Sequence, residues 1–238
     1  MDKIHEECGV FGIIGSDITE SVWAVYFALY ALQHRGQESC GIALNRGGYI
    51  YAHKDIGLVN EVFSKDKIGE ICSGVERSVP HEGEDATAAI GHVRYSMAGT
   101  SSRVNSQPMV VFHRNGAMAI AHNGKLVNAS ELREELELKG AIFPTSSDTE
   151  VISYVITQER VKNPSLADAV LASVKRFKGA YSLVITSGNE LAAVRDIYGF
   201  RPLCIGKLNG GYVFASESCA LDSVGAEFVR DVLPGEIV

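Results

Sequence analysis

Two turn signals limit what this chain can fold into. Gly47-Gly48 separates the short apolar runs Cys40–Asn45 and Tyr49–His53, and Arg114-Asn115-Gly116 separates Met109–His113 from Ala117–His122. Gly-Gly and Asn-Gly supply the positive φ that a tight turn between antiparallel strands requires. Parallel strands would need long crossovers instead, so the framework is antiparallel. Stretches of helical period lie around these hairpins. Apolar residues at 22, 23, 25, 26, 29, 30 and 32 share one side of a helix that runs to Gln33, with Thr19 or Ser21 as cap and Gly36 as its stop. A patchier pattern covers Ile56–Ile71. A helix from an Asn128 or Ser130 cap reaches Lys139 and closes on Gly140, and Asp148–Arg160 and Leu166–Phe177 read as two more.

Cys8–Ile14 and Ala86–Val93 are apolar enough for buried strands. Tyr181–Thr186, Leu191–Asp196, Pro202–Leu208 and Tyr212–Ser216 read as an antiparallel meander. Ser73–Asp85 is polar and reads as a surface loop. Arg94–Gln107 is a long segment rich in Ser, Gly and Asn, and a loop of that length in a compact chain is usually functional. No repeat or Pro-rich linker divides the chain. The expected fold is therefore one α+β domain, two antiparallel sheets packed together with helices on their outer faces.

With 238 residues, 46% of them hydrophobic and 21% charged, the chain can bury a large core. Its net charge of −7 and lack of a Lys/Arg cluster argue against a nucleic-acid partner. The start, Met1–Glu7, carries both charge signs and no apolar h-region, and no apolar run is long enough to span a bilayer. Five cysteines at irregular spacing fit a reduced cytoplasmic protein, and no C-x-x-C or Cys/His cluster calls for a metal. The final residues, Leu233–Val238, are strand-like and read as a chain cut short.

Cys8 begins an apolar strand and is followed at once by Gly9, with Gly12 beyond. Such a cysteine is ordinarily a small buried hydrophobe. A second use opens if Met1–Glu7 is removed as a propeptide and Cys8 becomes the first residue of a domain over 8–238. A free α-amine titrates at about 7.7–8 and a thiol at about 8.5, so one residue can be nucleophile and base together. Asn123-Gly124, after the strand Ala117–His122, offers a side-chain amide and an unobstructed N–H to a developing oxyanion, a donor type whose loss costs about 10²–10³ in rate. Arg94, where a strand meets the long loop, can grip a carboxylate through two N–H groups. Asp148 can accept from an ammonium. Each has a plainer use: Asn-Gly as a turn, Arg94 in a surface ion pair, Asp148 as a helix cap. Together they describe one ligand, an α-amino acid with a side-chain carboxamide, which is glutamine.

Cys8-Gly9-Val10-Phe11-Gly12, Leu32–Glu38, Gly91–Ser96, Ala121-His122-Asn123-Gly124 and Ser147-Asp148-Thr149-Glu150 resemble the class II glutamine amidotransferases, a group of N-terminal-nucleophile hydrolases. Gly199–Leu203, Ala215–Ala220 and Leu233–Glu236 are similar to the amidophosphoribosyltransferase branch of that group, which serves purine synthesis. The resemblance implies a four-layer αββα sandwich and a glutamyl thioester on Cys8, with Asn123 and Gly124 as the oxyanion site. It also implies Arg94 on the substrate carboxylate, Asp148 on its amine, and Arg35 arranging the site around the nucleophile. Arg94–Asn105 would be a lid carrying Tyr95, and cleavage between Glu7 and Cys8 would free the amine. The ammonia would pass to phosphoribosyl pyrophosphate, giving 5-phosphoribosylamine in a C-terminal phosphoribosyltransferase domain absent from this chain. Magnesium and a 4Fe–4S cluster are expected only with that part, and the complete protein as a homo-oligomer. Two alternatives stand beside it: the glutaminase domain of a glucosamine-phosphate synthase, and a non-catalytic domain that binds an amino acid.

Overall fold

The computed structural model describes residues 8–15, 17–78, 86–95 and 103–238. Its strands in chain order are β1 (Gly9–Ile14), β2 (Ser39–Arg46), β3 (Tyr49–Ile56), β4 (Thr87–Arg94), β5 (Met109–His113), β6 (Gly116–Leu126), β7 (Gly179–Ser187), β8 (Glu190–Arg195), β9 (Cys204–Leu208), β10 (Gly211–Ala215) and β11 (Glu227–Asp231). The helices are α1 (Ile18–Ala31), α2 (Val59–Val62), α3 (Lys65–Glu76), α4 (Ala129–Glu137), α5 (Asp148–Lys162), α6 (Leu166–Val174) and α7 (Ser218–Ser223).

The strands form two antiparallel sheets. One has seven strands in the order β11-β9-β10-β1-β4-β2-β3, the other four in the order β5-β6-β7-β8. Strand alternation sorts the core into three layers. On β1, Phe11 and Ile13 face α1, α3 and α7 with Val22, Val25, Leu29 and Ile71. Val10 points the other way and meets Ala119, Ala121, Val184 and Ala193 between the sheets. Behind the smaller sheet, Ile120, Leu183 and Ile185 pack on Val151, Val155 and Leu166 of α5 and α6. Helix, sheet, sheet, helix is the sandwich expected from the sequence. Gly12 faces the opposite sheet, where an added Cβ would lie 2.4 Å from Val184 Cγ1. The glycine thus admits a side chain from the facing sheet.

Several elements depart from the sequence reading. Asp17, not Thr19 or Ser21, caps α1, its carboxylate accepting from Thr19 and Glu20 N–H at 2.9 and 3.1 Å. A 3₁₀ turn over Gln33–Arg35 follows, and Gly36 is extended at φ −159°. Its glycine is needed for approach, since a Cβ would lie 2.6 Å from the Arg94 carbonyl carbon. The Ile56–Ile71 pattern splits into α2 and α3 at Phe63-Ser64, and α3 continues through Ser73 to Glu76, where a loop was expected. Residues 79–85 of that segment lie outside the described residues, as do 96–102 of the long loop and the whole of Met1–Glu7.

The expected meander is two pieces. β7 and β8 complete the smaller sheet, and the chain then crosses over 196–203 to add β9, β10 and β11 to the larger one. β11 and α7 were not legible, being short and polar. The last residues pair with β8 through Val194 and Ile237.

Candidate active site

The register of the larger sheet brings the first residue of the expected site to its partners. Gly9 stands opposite Val93 on β4, and Ser39 of β2 stands opposite Arg94. Cys8 is therefore held beside Arg94 and Tyr95 at the sheet's end, its Sγ 3.9 Å from the Tyr95 carbonyl oxygen. Its backbone is left-handed, φ 54°. For a residue with a Cβ that conformation costs about 1–2 kcal/mol, so the surroundings must hold it. Arg35 does part of this: its Nε donates to the Cys8 carbonyl at 2.7 Å.

A cavity of about 850 Å³ opens at this point. Its wall includes Cys8, Arg94, Tyr95, Gly124 and Asp148, so five of the seven residues picked from the sequence share one space. Arg35 and Asn123 do not line it. Arg35 is 4% exposed and stands behind Cys8 rather than in the substrate space.

Gly124 lies within β6, not after its end. The strand continues past His122 to Leu126, with Asn123 opposite Ser182 and Gly124 opposite Tyr181 on β7. Gly124 has φ 137°, and a Cβ would fall 2.1 Å from the Ala180 oxygen. This is a bend that only glycine permits. Asn123 is fully buried, and neither amide atom has a hydrogen-bond partner among the described residues. Leaving such an amide unsatisfied costs about 1–3 kcal/mol per group. The turn use of Asn-Gly is excluded here by the strand.

Asp148 is the first residue of α5, and Ser147, not Asp148, is its cap. The Asp148 carboxylate instead accepts from Leu126 N–H at 2.9 Å, tying α5 to β6. Arg94 donates to Glu38 at 2.9 Å, a pair whose side chains are 18% and 11% exposed. This is a half-buried pair at the mouth of the cavity, not the exposed one considered as its plain use.

Several groups around the cavity were missed. Gln107 clamps His122 from both sides, accepting from its N–H at 2.7 Å and donating to its carbonyl at 3.4 Å. His92 donates from Nε2 to the same carbonyl at 3.0 Å. His122 Nδ1 lies 3.1 Å from Thr149 Oγ1 and 3.6 Å from Asp148 Oδ1. Burial pushes His92 down to about 3 and lowers His122 as well, so both imidazoles are neutral. His92 and His122 stood inside the quoted motifs, but nothing in their spacing separated a buried brace from a ligand contact.

The other cysteines are poor candidates for the nucleophile. Burial raises the Cys40 and Cys204 thiols to about 12, and burial also raises Cys72 and Cys219. Among the described residues no group of three or more His, Cys, Asp and Glu converges as a metal site. No described helix is long and apolar enough to cross a membrane.

Similarity to known proteins follows the same lines. The amidophosphoribosyltransferase of Methanocaldococcus jannaschii is 44% identical over 97% of this chain and 46% of its own length. That of Synechocystis is 46% identical over 100% of this chain and 46% of its own. Among solved structures, the glutamine phosphoribosylpyrophosphate amidotransferase of B. subtilis, complexed with ADP and GMP, aligns with a TM-score of 0.83 at 42% identity, over 97% of this chain and 46% of that one. The chain thus spans about half the length of the relatives it matches. The sequence profile of the glutamine amidotransferase domain matches residues 92–223, more than half the chain, and the chain belongs to that family.

Proposed function

We propose that this chain is the glutaminase half of an amidophosphoribosyltransferase and that Cys8 is its nucleophile. The observation that carries this reading is the convergence of Cys8, Arg94, Gly124 and Asp148 on one cavity. The volume, about 850 Å³, is within the range of small-molecule sites. In the cycle, Cys8 Sγ attacks the side-chain carbonyl carbon of glutamine while its proton passes to the α-amine of the same residue. The oxyanion is held by the Gly124 N–H and the Asn123 amide, whose unpartnered state supports such a use. Collapse breaks the C–N bond, and the proton carried by the amine leaves with ammonia. Water then adds to the thioester, releasing glutamate and restoring the thiol. Arg94 meets the substrate's α-carboxylate and Asp148 its ammonium.

Residues 1–7 are the propeptide in this reading, because an amide nitrogen at Cys8 cannot serve as a base. The ammonia goes to phosphoribosyl pyrophosphate, bound with magnesium by the remainder of a longer protein, where the 4Fe–4S cluster would also belong. The names of the relatives support that acceptor. No metal ion is needed by the residues of this half.

Ammonia release from glutamine, followed in wild type and in Cys8→Ala together with the intact mass, tests the reading. The expected outcome is activity only in material that begins at Cys8, and none in Cys8→Ala. Equal rates in both would leave an amino-acid-binding domain as the better account. Active chains that still begin at Met1 would overturn the propeptide.

A further inference from the structure

The segment Ala215-Ser216-Glu217-Ser218-Cys219-Ala220 takes no part in the proposed cycle, yet it lies against the nucleophile from behind. β10 pairs with β1, with Ala215 opposite Phe11. Beyond that pair Ser216 closes on Val10 twice: its N–H donates to the Val10 carbonyl at 3.0 Å, and its Oγ accepts from Val10 N–H at 3.0 Å. The next residue, Glu217, forms an ion pair with Arg35 through Oε1. Its other oxygen lies 3.0 Å from His34 Nε2 and 3.5 Å from Cys219 Sγ. Arg35 in turn donates to the Cys8 carbonyl. A carboxylate on β10's exit is therefore one guanidinium away from the backbone of Cys8.

The carbonyl of Cys8 gives this chain of contacts its use. Once Met1–Glu7 are removed no peptide precedes Cys8, and the peptide plane that follows it is its backbone anchor to β1. Arg35 fixes that plane by its grip on the carbonyl, and a buried guanidinium keeps one orientation only while its other donors are met. We propose that Glu217 is a positioning residue for the nucleophile: by holding Arg35 it fixes the Cys8 carbonyl and so aims Sγ into the cavity. The inference rests on the reading of Cys8 as nucleophile. Burial would raise the Glu217 carboxyl, but the hydrogen bond and charge of Arg35, with His34, hold it below the usual carboxylate range.

The experiment uses the processed chain and three readouts: kcat and KM for glutamine, the rate of alkylation of Cys8 by iodoacetamide read on its own peptide, and the thermal midpoint. In Glu217→Gln, kcat is expected to fall about 10²-fold, alkylation to fall with it, and KM to stay within about twofold, because a small misplacement of a reacting atom costs rate before binding. Glu217→Asp should recover most of the loss. Wild-type kcat and alkylation in Glu217→Gln would overturn the proposal, as would losses that only follow the unfolded fraction. Should that variant not fold, Arg35→Lys keeps a charge beside Glu217 but lacks the Nε donor, and wild-type kcat there overturns it equally. Ammonia release by Cys8→Ala would instead remove the nucleophile reading, whatever Glu217 does.

Discussion

Arg94 and Asp148 illustrate how a side chain's use is settled by its neighbours. Asp148 begins a helix, where an acidic residue is common for the sake of the helix dipole. Its carboxylate is nevertheless turned to Leu126 and the cavity, and Ser147 takes the cap. Arg94 is held by Glu38, which leaves its fork fixed at the cavity wall before any ligand arrives. Removing that fork should affect glutamine and not the thiol. Arg94→Ala is expected to raise KM for glutamine at least about tenfold, the value of a lost charged hydrogen bond, while iodoacetamide traps Cys8 at nearly the wild-type rate. Parallel losses in both would mean that Arg94 supports the fold. That Arg94 and Asp148 meet at one cavity was legible because residue type marks them out. Asn123 was legible by type but not by setting, since a dipeptide common in turns gave no sign that the strand runs on through it.

Among the elements, the junction between the 3₁₀ turn and β4 is packed backbone against backbone. Gly36 lies against Arg94 and Val93 so closely that a Cβ would meet three of their backbone atoms between 2.6 and 2.7 Å. Its own φ of −159° suits any residue, so alanine there tests contact alone. Gly36→Ala is expected to cost about 1–3 kcal/mol, as overpacking does. It should also raise KM for glutamine, because what must give way is the backbone carrying Arg94. A thermal midpoint and KM both at the wild-type value would refute this. The buried strands were readable as apolar runs and the first helix from its spacing, as β2, β4 and α1 show. What periodicity missed was set by packing: Gly36 looked like a helix stop but serves approach, and β7-β8 and β9-β10 looked like one meander because sequence order does not say when a chain changes sheets.

For the whole molecule, buried imidazoles link the sandwich to pH. Burial lowers His92 to about 3 and lowers His122, and it shifts the partly buried His53 and His113 the same way. In the unfolded chain these rings titrate near 6.5, so below that pH the unfolded state binds more protons than the folded one. Stability is therefore full above about 6.5 and falls as pH drops toward 3. From His92 alone the loss at pH 5 is about 2 kcal/mol. Urea unfolding at pH 7 and pH 5 should show a clearly lower midpoint at pH 5, and identical midpoints would refute it. The crossing of the chain over 196–203 has a consequence in time as well as in space. β1 leaves the ribosome before the other elements of the sandwich, yet one of its two neighbours, β10, and the carboxylate of Glu217 arrive some two hundred residues later. The cysteine is made early and housed late, so no nascent chain carries a finished nucleophile until nearly all of these residues have emerged.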